Sequence, residues 1–167
     1  MFTEAEANAL IMAEMFIYKT KDESLITEFN TAIEKIKSVL GNQEKEKSKF
    51  LSERTIIGKN WGEVRTSSFL SEIQKSLTNF KLLKIEYQKA NEDNFSIREI
   101  EPFAIYHNTS ENWVLIAWCR LRNEFRNFRI DRIMKLTSLS ESFAPHKMSL
   151  DEYVEIQKRK HFNNPLT

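Results

Sequence analysis

The sequence predicts an α+β fold: a helical hairpin, then five short antiparallel strands in a small closed or nearly closed barrel, then one C-terminal helix. Three observations carry this expectation. Apolar residues recur at helical spacing as far as Leu40. From Leu82 the apolar period falls from 3.6 to 2, and the strands that follow are separated by turns rich in Asn and Asp. Five short antiparallel strands leave exposed edges if flat, and curling them into a barrel removes that problem.

Each element has its own signal. Thr3 and Glu6 form a T-x-x-E capping box ahead of Ala9, Leu10, Ala13, Phe16 and Ile17, which share a helical stripe. A second helix is expected from about Ser24 to Leu40, with Leu25, Phe29, Ile33, Ile36 and Leu40 on one face and Gly41 as its stop. The break near Lys19 to Glu23 makes an αα-hairpin. Asn42 to Lys49 is a charged connector. Between Phe50 and Arg65 the pattern is ambiguous, with a short strand at Ile56 and Ile57 and a loop from Gly58 to Gly62. Ser67 or Ser68 opens a helix to about Asn79, turning Phe69, Leu70, Ile73 and Leu77 inward.

The strands follow. Leu83, Ile85 and Tyr87 alternate with polar residues, and Asn91 to Asn94 turns the chain. Ser96 to His107 is the second strand, where Pro102 marks an edge or a bulge. After a turn at Asn108 to Asn112 come Trp113 to Leu121, Phe125 to Arg132 and Met134 to Leu139. Ser149 and Glu152 form another capping box, before a helix ending near Lys160 and a loose tail. The expected organisation is 1–48 helical connector and dimerisation segment, 49–81 linker and helix, 82–140 barrel, and 141–167 helical extension.

Composition narrows the function. With 41% hydrophobic and 29% charged residues the chain is expected to be globular, and a net charge of +1 argues against a generic nucleic-acid coat. One cysteine, Cys119, excludes an internal disulfide, so a cytoplasmic setting is simplest. No apolar run reaches membrane length, and the acidic start is unlike a signal peptide. Three glycines leave little room for a glycine-rich phosphate loop. His107, His146 and His161 are too scattered for a metal set, and Glu99 and Glu101 read as surface charges, so no enzyme, metal or cofactor is expected.

The exception to this balance is WVLIAWCRLRNEFRNFRIDRI, Trp113 to Ile133. It gathers Arg120, Arg122, Arg126, Arg129 and Arg132 against only Glu124 and Asp131. Guanidinium groups match phosphate or carboxylate by their planar fork, and interleaved aromatic rings can stack a base. By parity Trp113, Leu115, Ala117, Cys119 and Leu121 face the core. Val114, Ile116, Trp118, Arg120 and Arg122 then form a groove with an aromatic floor and a cationic end. On the next strand Arg126, Phe128, Ile130 and Arg132 share a face. The pattern alone leaves two readings open: an anion site, or a solvated strand face pairing with Glu99, Glu101, Glu124 and Asp131.

Three stretches carry a family resemblance: IREIEP (Ile97 to Pro102), WVLIAWCRLR (Trp113 to Arg122) and FRNFRIDRI (Phe125 to Ile133). Together they resemble the WYL domain, the ligand-sensing module of bacterial transcriptional regulators, and Phe2 to Leu40 resembles the helical segment that precedes it. The resemblance implies an Sm-like barrel that receives a nucleotide or single-stranded nucleic acid effector and controls a helix-turn-helix head on operator DNA, in a homodimer. On that basis Arg98, Arg120, Arg126, Arg129 and Arg132 are the expected anion contacts, with Arg122 at the rim. Tyr87, Trp118 and Phe128 are candidate stacking surfaces, the alternative for each being a packing role. Two departures stand out: Val114 occupies the place of the family's central Tyr, and nothing before Thr3 could hold a helix-turn-helix. The chain is therefore expected to be either a fragment of such a regulator, the favoured reading, or a stand-alone sensor. Alternatives are a stand-alone Sm-like adaptor for single-stranded nucleic acid and a module for an acidic protein partner.

Overall fold

The computed structural model describes residues 3–39, 46–47, 53–54, 67–90, 94–108 and 112–163. The expected strand at Ile56 and Ile57, the loop from Gly58 to Gly62, the helix stop at Gly41 and the tail lie outside the described residues. So do the centres of the turns before the second and third strands.

Helix α1 spans Glu4–Tyr18 and opens on the expected box: the Thr3 hydroxyl accepts from Glu6 N at 3.3 Å, and Glu6 Oε2 accepts from Thr3 N at 2.7 Å. Helix α2, Glu23–Ser38, starts one residue before the expected Ser24, because Asp22 is its N-cap. It buries Ile26 and Ile33, while Leu25 packs at the edge of the main core.

Helix α3, Leu70–Thr78, has no side-chain cap of its own. Its N-terminus is capped from 48 residues away: Asp22 Oδ2 accepts from Leu70 N at 3.2 Å and from the Ser67 hydroxyl. The other oxygen, Oδ1, accepts from Leu25 N at 2.9 Å and from the Ser24 hydroxyl. Ser24 Oγ in turn accepts from Ser71 N at 3.0 Å, and Ser67 O accepts from Glu23 N at 2.8 Å. Asp22 is thus a fully buried acceptor for two helix starts at once, each of which presents unsatisfied N–H groups. This knot fastens the helical hairpin to the sheet domain.

The strands are β1 Lys81–Gln88, β2 Phe95–His107, β3 Trp113–Cys119, β4 Glu124–Arg129 and β5 Ile133–Ser142. They form an antiparallel sheet in the order β4-β3-β2-β1-β5. Pro102 sits at a register shift in the β2–β3 ladder, so the bulge is the alternative the fold adopts. Strand β4 stops at Arg129, earlier than expected, and Ile130–Arg132 form a 3₁₀ turn into β5. β5 in turn runs three residues past Leu139.

The sheet is curled but not closed. Tyr87 of β1 reaches across the concavity to β4, its ring edge-on to Phe128 at 5.2 Å and its hydroxyl accepting from Arg129 N at 3.2 Å. Yet no ladder joins β4 to β5 among the described residues, so the closed form of the barrel is not what the chain adopts.

The main core fills the concave face: Leu83, Ile85, Ile100, Leu115, Ala117, Cys119, Phe128, Ile130 and Ile133, plugged by Leu70 and Ile73 of α3. Part of the convex face is covered too. Helix α4, Leu150–Asn163, begins at the expected Ser149–Glu152 box and presses Tyr153 against Ala104 and Ile116. Val114 through Ala117 are consequently all buried, which corrects the expectation of an open groove on the Val114, Ile116 and Trp118 face.

Burial, and secondarily the neighbouring Tyr106, push the Tyr153 phenol above its ordinary value of 10.0. The folded chain then holds this proton to higher pH than the unfolded chain does. The associated stability is intact below pH 10.0 and is lost as pH climbs beyond it. Thermal melts between pH 8 and 11 are expected to show a loss at the alkaline end that Tyr153→Phe removes.

Candidate functional site

The concave face supplies the site. Directly paired residues in an antiparallel ladder point the same way. Ile85 pairs with Arg98 and Tyr87 with Ser96, while Ala117 pairs with Arg126 and Leu115 with Phe128. Arg98 and Arg126 therefore extend the apolar core face at its open end. The 3₁₀ turn brings in Arg132 where a continued strand would have carried it onward.

These residues line a cavity of about 370 Å³, together with Tyr87, Phe128, Lys89, Ala90, Ser96 and Asn127. Lys89, Arg98, Arg126 and Arg132 bring positive charge, and among the described residues no carboxylate is in the lining. Among the described residues the Arg98 guanidinium donates only to the neighbouring Ile97 carbonyl, at 3.2 Å. Arg126 Nε stands 3.4 Å from Glu124 Oε1, but both side chains are more than a third exposed, which leaves the pair little strength. Arg132 forms no ion pair among the described residues. Phe128 is a core residue whose ring makes the back wall, and Tyr87 stands edge-on beside it. The arrangement can receive a small anion-bearing ligand with an aromatic or apolar portion. Its volume lies at the small end of ordinary ligand pockets.

Three other arginines named from the sequence lie elsewhere. The Arg120 guanidinium is on the convex side, its Nη1 2.7 Å from Glu141 Oε1 and its Nε 2.9 Å from Glu101 Oε1. Those two carboxylates hold its pKa above the usual guanidinium value. Arg129 is clasped by Asp131, with Nε donating to Oδ1 at 3.0 Å and Nη2 to Oδ2 at 2.7 Å, and Nη2 also reaches Asn112 Oδ1 at 2.8 Å. Asp131 raises its pKa in the same way. The clasp also occupies the carboxylate that sits next to Arg132 in the chain. Arg122 is exposed on the β3–β4 turn, whose Asn123 has φ 52°.

Trp118 packs on the convex face, 5.2 Å from Phe125 and 6.1 Å from His146. His146 Nε2 is 3.0 Å from Glu101 Oε2, off the direction a hydrogen bond needs. Lys89, Ser96 and Asn127 were not anticipated from the sequence. Parity could have found the first two, since Lys89 follows Tyr87 by two residues and Ser96 precedes Arg98 by two.

No helix among the described residues is long and apolar enough to cross a membrane. Residues 68–138 match the family model of the WYL domain. Over 124 residues the chain is 28% identical to an uncharacterized HTH-type transcriptional regulator, YobV, of Bacillus subtilis (strain 168), with 73% of this chain and 39% of that protein covered. It therefore spans well under half the length of that relative. It is also similar to the solved structure of proteasome accessory factor B/C (PafBC) of Arthrobacter aurescens, at 19% identity and a TM-score of 0.45, covering 86% of this chain and 21% of that one.

Proposed function

We propose that this chain, whose residues 68–138 are a WYL domain, is the effector-sensing part of a bacterial transcriptional regulator. The effector is an anionic nucleotide or a short single-stranded nucleic acid, and it acts on a DNA-binding head elsewhere in the regulator. The relative's description as a transcriptional regulator supports the regulatory part. The observation that carries the ligand class is the cavity between Arg98, Arg126 and Arg132, cationic at its rim and aromatic at its back. Phosphate oxygens would take the guanidinium forks while a base rests against Tyr87. In this reading the curled sheet is an Sm-like barrel left open along the β4–β5 seam.

The test is calorimetric titration of 5′-phosphorylated pentathymidylate. Wild type is expected to bind with affinity that falls as salt rises, and Arg126→Ala to bind about 10-fold more weakly, the loss of one charge-assisted contact. Equal affinity for both proteins would reject the site. The small size of the cavity, about 370 Å³, favours a sensor over an adaptor that tracks long strands. A preference growing steadily with oligonucleotide length would reverse that choice.

A homodimer belongs to the same reading. Ala5, Ala9, Met12 and Phe16 make an exposed stripe along α1, with Phe16 58% exposed. Such a stripe needs an apolar partner. Phe16→Glu is expected to retain helix content while lowering the mass measured by sedimentation from dimer to monomer.

A further inference from the structure

Strand β4 has two faces with different occupants. Arg126 and Phe128 point into the cavity, whereas Phe125 packs on the convex side beneath α4. The Phe125 ring lies 5.6 Å from Tyr153 and 5.0 Å from His146, which belongs to the segment leading into α4. The Tyr153 hydroxyl donates to Asn127 Oδ1 at 3.2 Å, and Asn127 itself borders the cavity. Among the described residues β4 is also an edge strand, six residues long and laddered only to β3. A short edge strand held by a single ladder takes much of its order from whatever grips its faces.

We propose that α4 is a responsive element of the cavity: its docking on the convex side of β4 and occupation of the concave side by an anion favour one another. The inference rests on the reading of the cavity as an effector site. The route is physical and short. A ligand that fixes Arg126 immobilises β4, so α4 then docks on a strand already ordered and loses less entropy in doing so. Because coupling is reciprocal, docked α4 tightens ligand binding by the same factor. The Tyr153–Asn127 hydrogen bond and the Phe125 contact are the joints through which this passes. In a longer regulator, α4 would carry the state of the cavity to whatever it touches.

Hydrogen exchange of the full chain, with and without 5′-phosphorylated pentathymidylate, tests the coupling. The probe is expected to slow exchange in residues 150–160 of α4 by about 5-fold, the lower end of ordinary site-to-site coupling. Tyr153→Phe, which keeps the ring and removes only the hydroxyl, should speed exchange of the β4 amides laddered to β3. It should also weaken probe binding, by at most the factor that the probe gave in α4. Probe binding that depends on Arg126 but leaves α4 exchange unchanged would overturn the coupling and leave the cavity reading standing. So would an affinity in Tyr153→Phe equal to that of wild type. Failure of the probe to bind wild type would overturn the cavity reading and the coupling together.

Discussion

A protein carrying Arg98→Ala and Arg132→Ala together is expected to bind 5′-phosphorylated pentathymidylate at least about 100-fold more weakly than wild type. Each guanidinium faces the cavity without a carboxylate partner among the described residues, so each is available to a phosphate. A hydrogen bond to a charged group contributes about 1.5–3 kcal/mol, and two such losses exceed the ~2.7 kcal/mol that corresponds to 100-fold. The matched comparison is Arg120→Ala. Its guanidinium is on the opposite face between Glu101 and Glu141, so affinity is expected to stay within about 2-fold of wild type. The two variants thus separate a specific cradle from general positive charge. Loss of affinity in Arg120→Ala as large as in the double variant would show that the cavity is not the place of binding.

The largest effect on stability is expected at Asp22. Asp22→Ala removes the N-cap of α2 and the remote cap of α3 together, and strands the hydroxyls of Ser24 and Ser67. A lost cap costs about 1 kcal/mol, and a buried donor without a partner costs about 1–3 kcal/mol. The sum is about 3–5 kcal/mol, a large fraction of the stability of a domain this size. Asp22→Asn tests the same geometry in a gentler way. Its one carbonyl oxygen can keep the Leu25 cap, but its amide turns two donors toward Leu70 N. About half the loss is expected, concentrated at α3. Urea unfolding followed by circular dichroism measures both. An Asp22→Ala protein within 1 kcal/mol of wild type would mean that the knot between hairpin and sheet carries no weight.

Signals that act over a few residues were legible in the sequence. The capping boxes at Thr3 and Ser149 bridge three positions and formed as expected. The period-2 alternation of Leu83, Ile85 and Tyr87 placed β1, and Pro102 marked the bulge. What escaped depends on distant partners. Nothing near Leu70 indicates that its cap is Asp22. Nothing near Arg120 indicates that Glu141 waits across the sheet. The side of β3 that faces the cavity was also hidden, because the strand is apolar on both faces and alternation carries no direction there. The arginines of β3 therefore drew attention to the convex side. Arg98, Arg126 and Arg132, contributed by β2, β4 and the 3₁₀ turn, are the ones that meet around a cavity. Phe128 was placed between two arginines in the sequence, and it lies there in the fold, as a wall packed into the core.

The position of β1 between β2 and β5 has a consequence for how the chain folds. Strands β1 to β4 are joined in sequence and can zip as successive hairpins. The β1–β5 ladder instead connects Lys81 with Ser142, 61 residues apart. Contacts so far apart along the chain form late, because the entropy of closing the loop is lost before the ladder repays it. On a ribosome adding about 5–20 residues per second, β1 would wait several seconds for Ile133–Ser142 to emerge. For that interval Leu83 and Ile85 sit on a bare sheet margin, open to pairing with a neighbouring nascent chain. Arrival of the last strand therefore covers this margin and moves the open edge from β1 to β5.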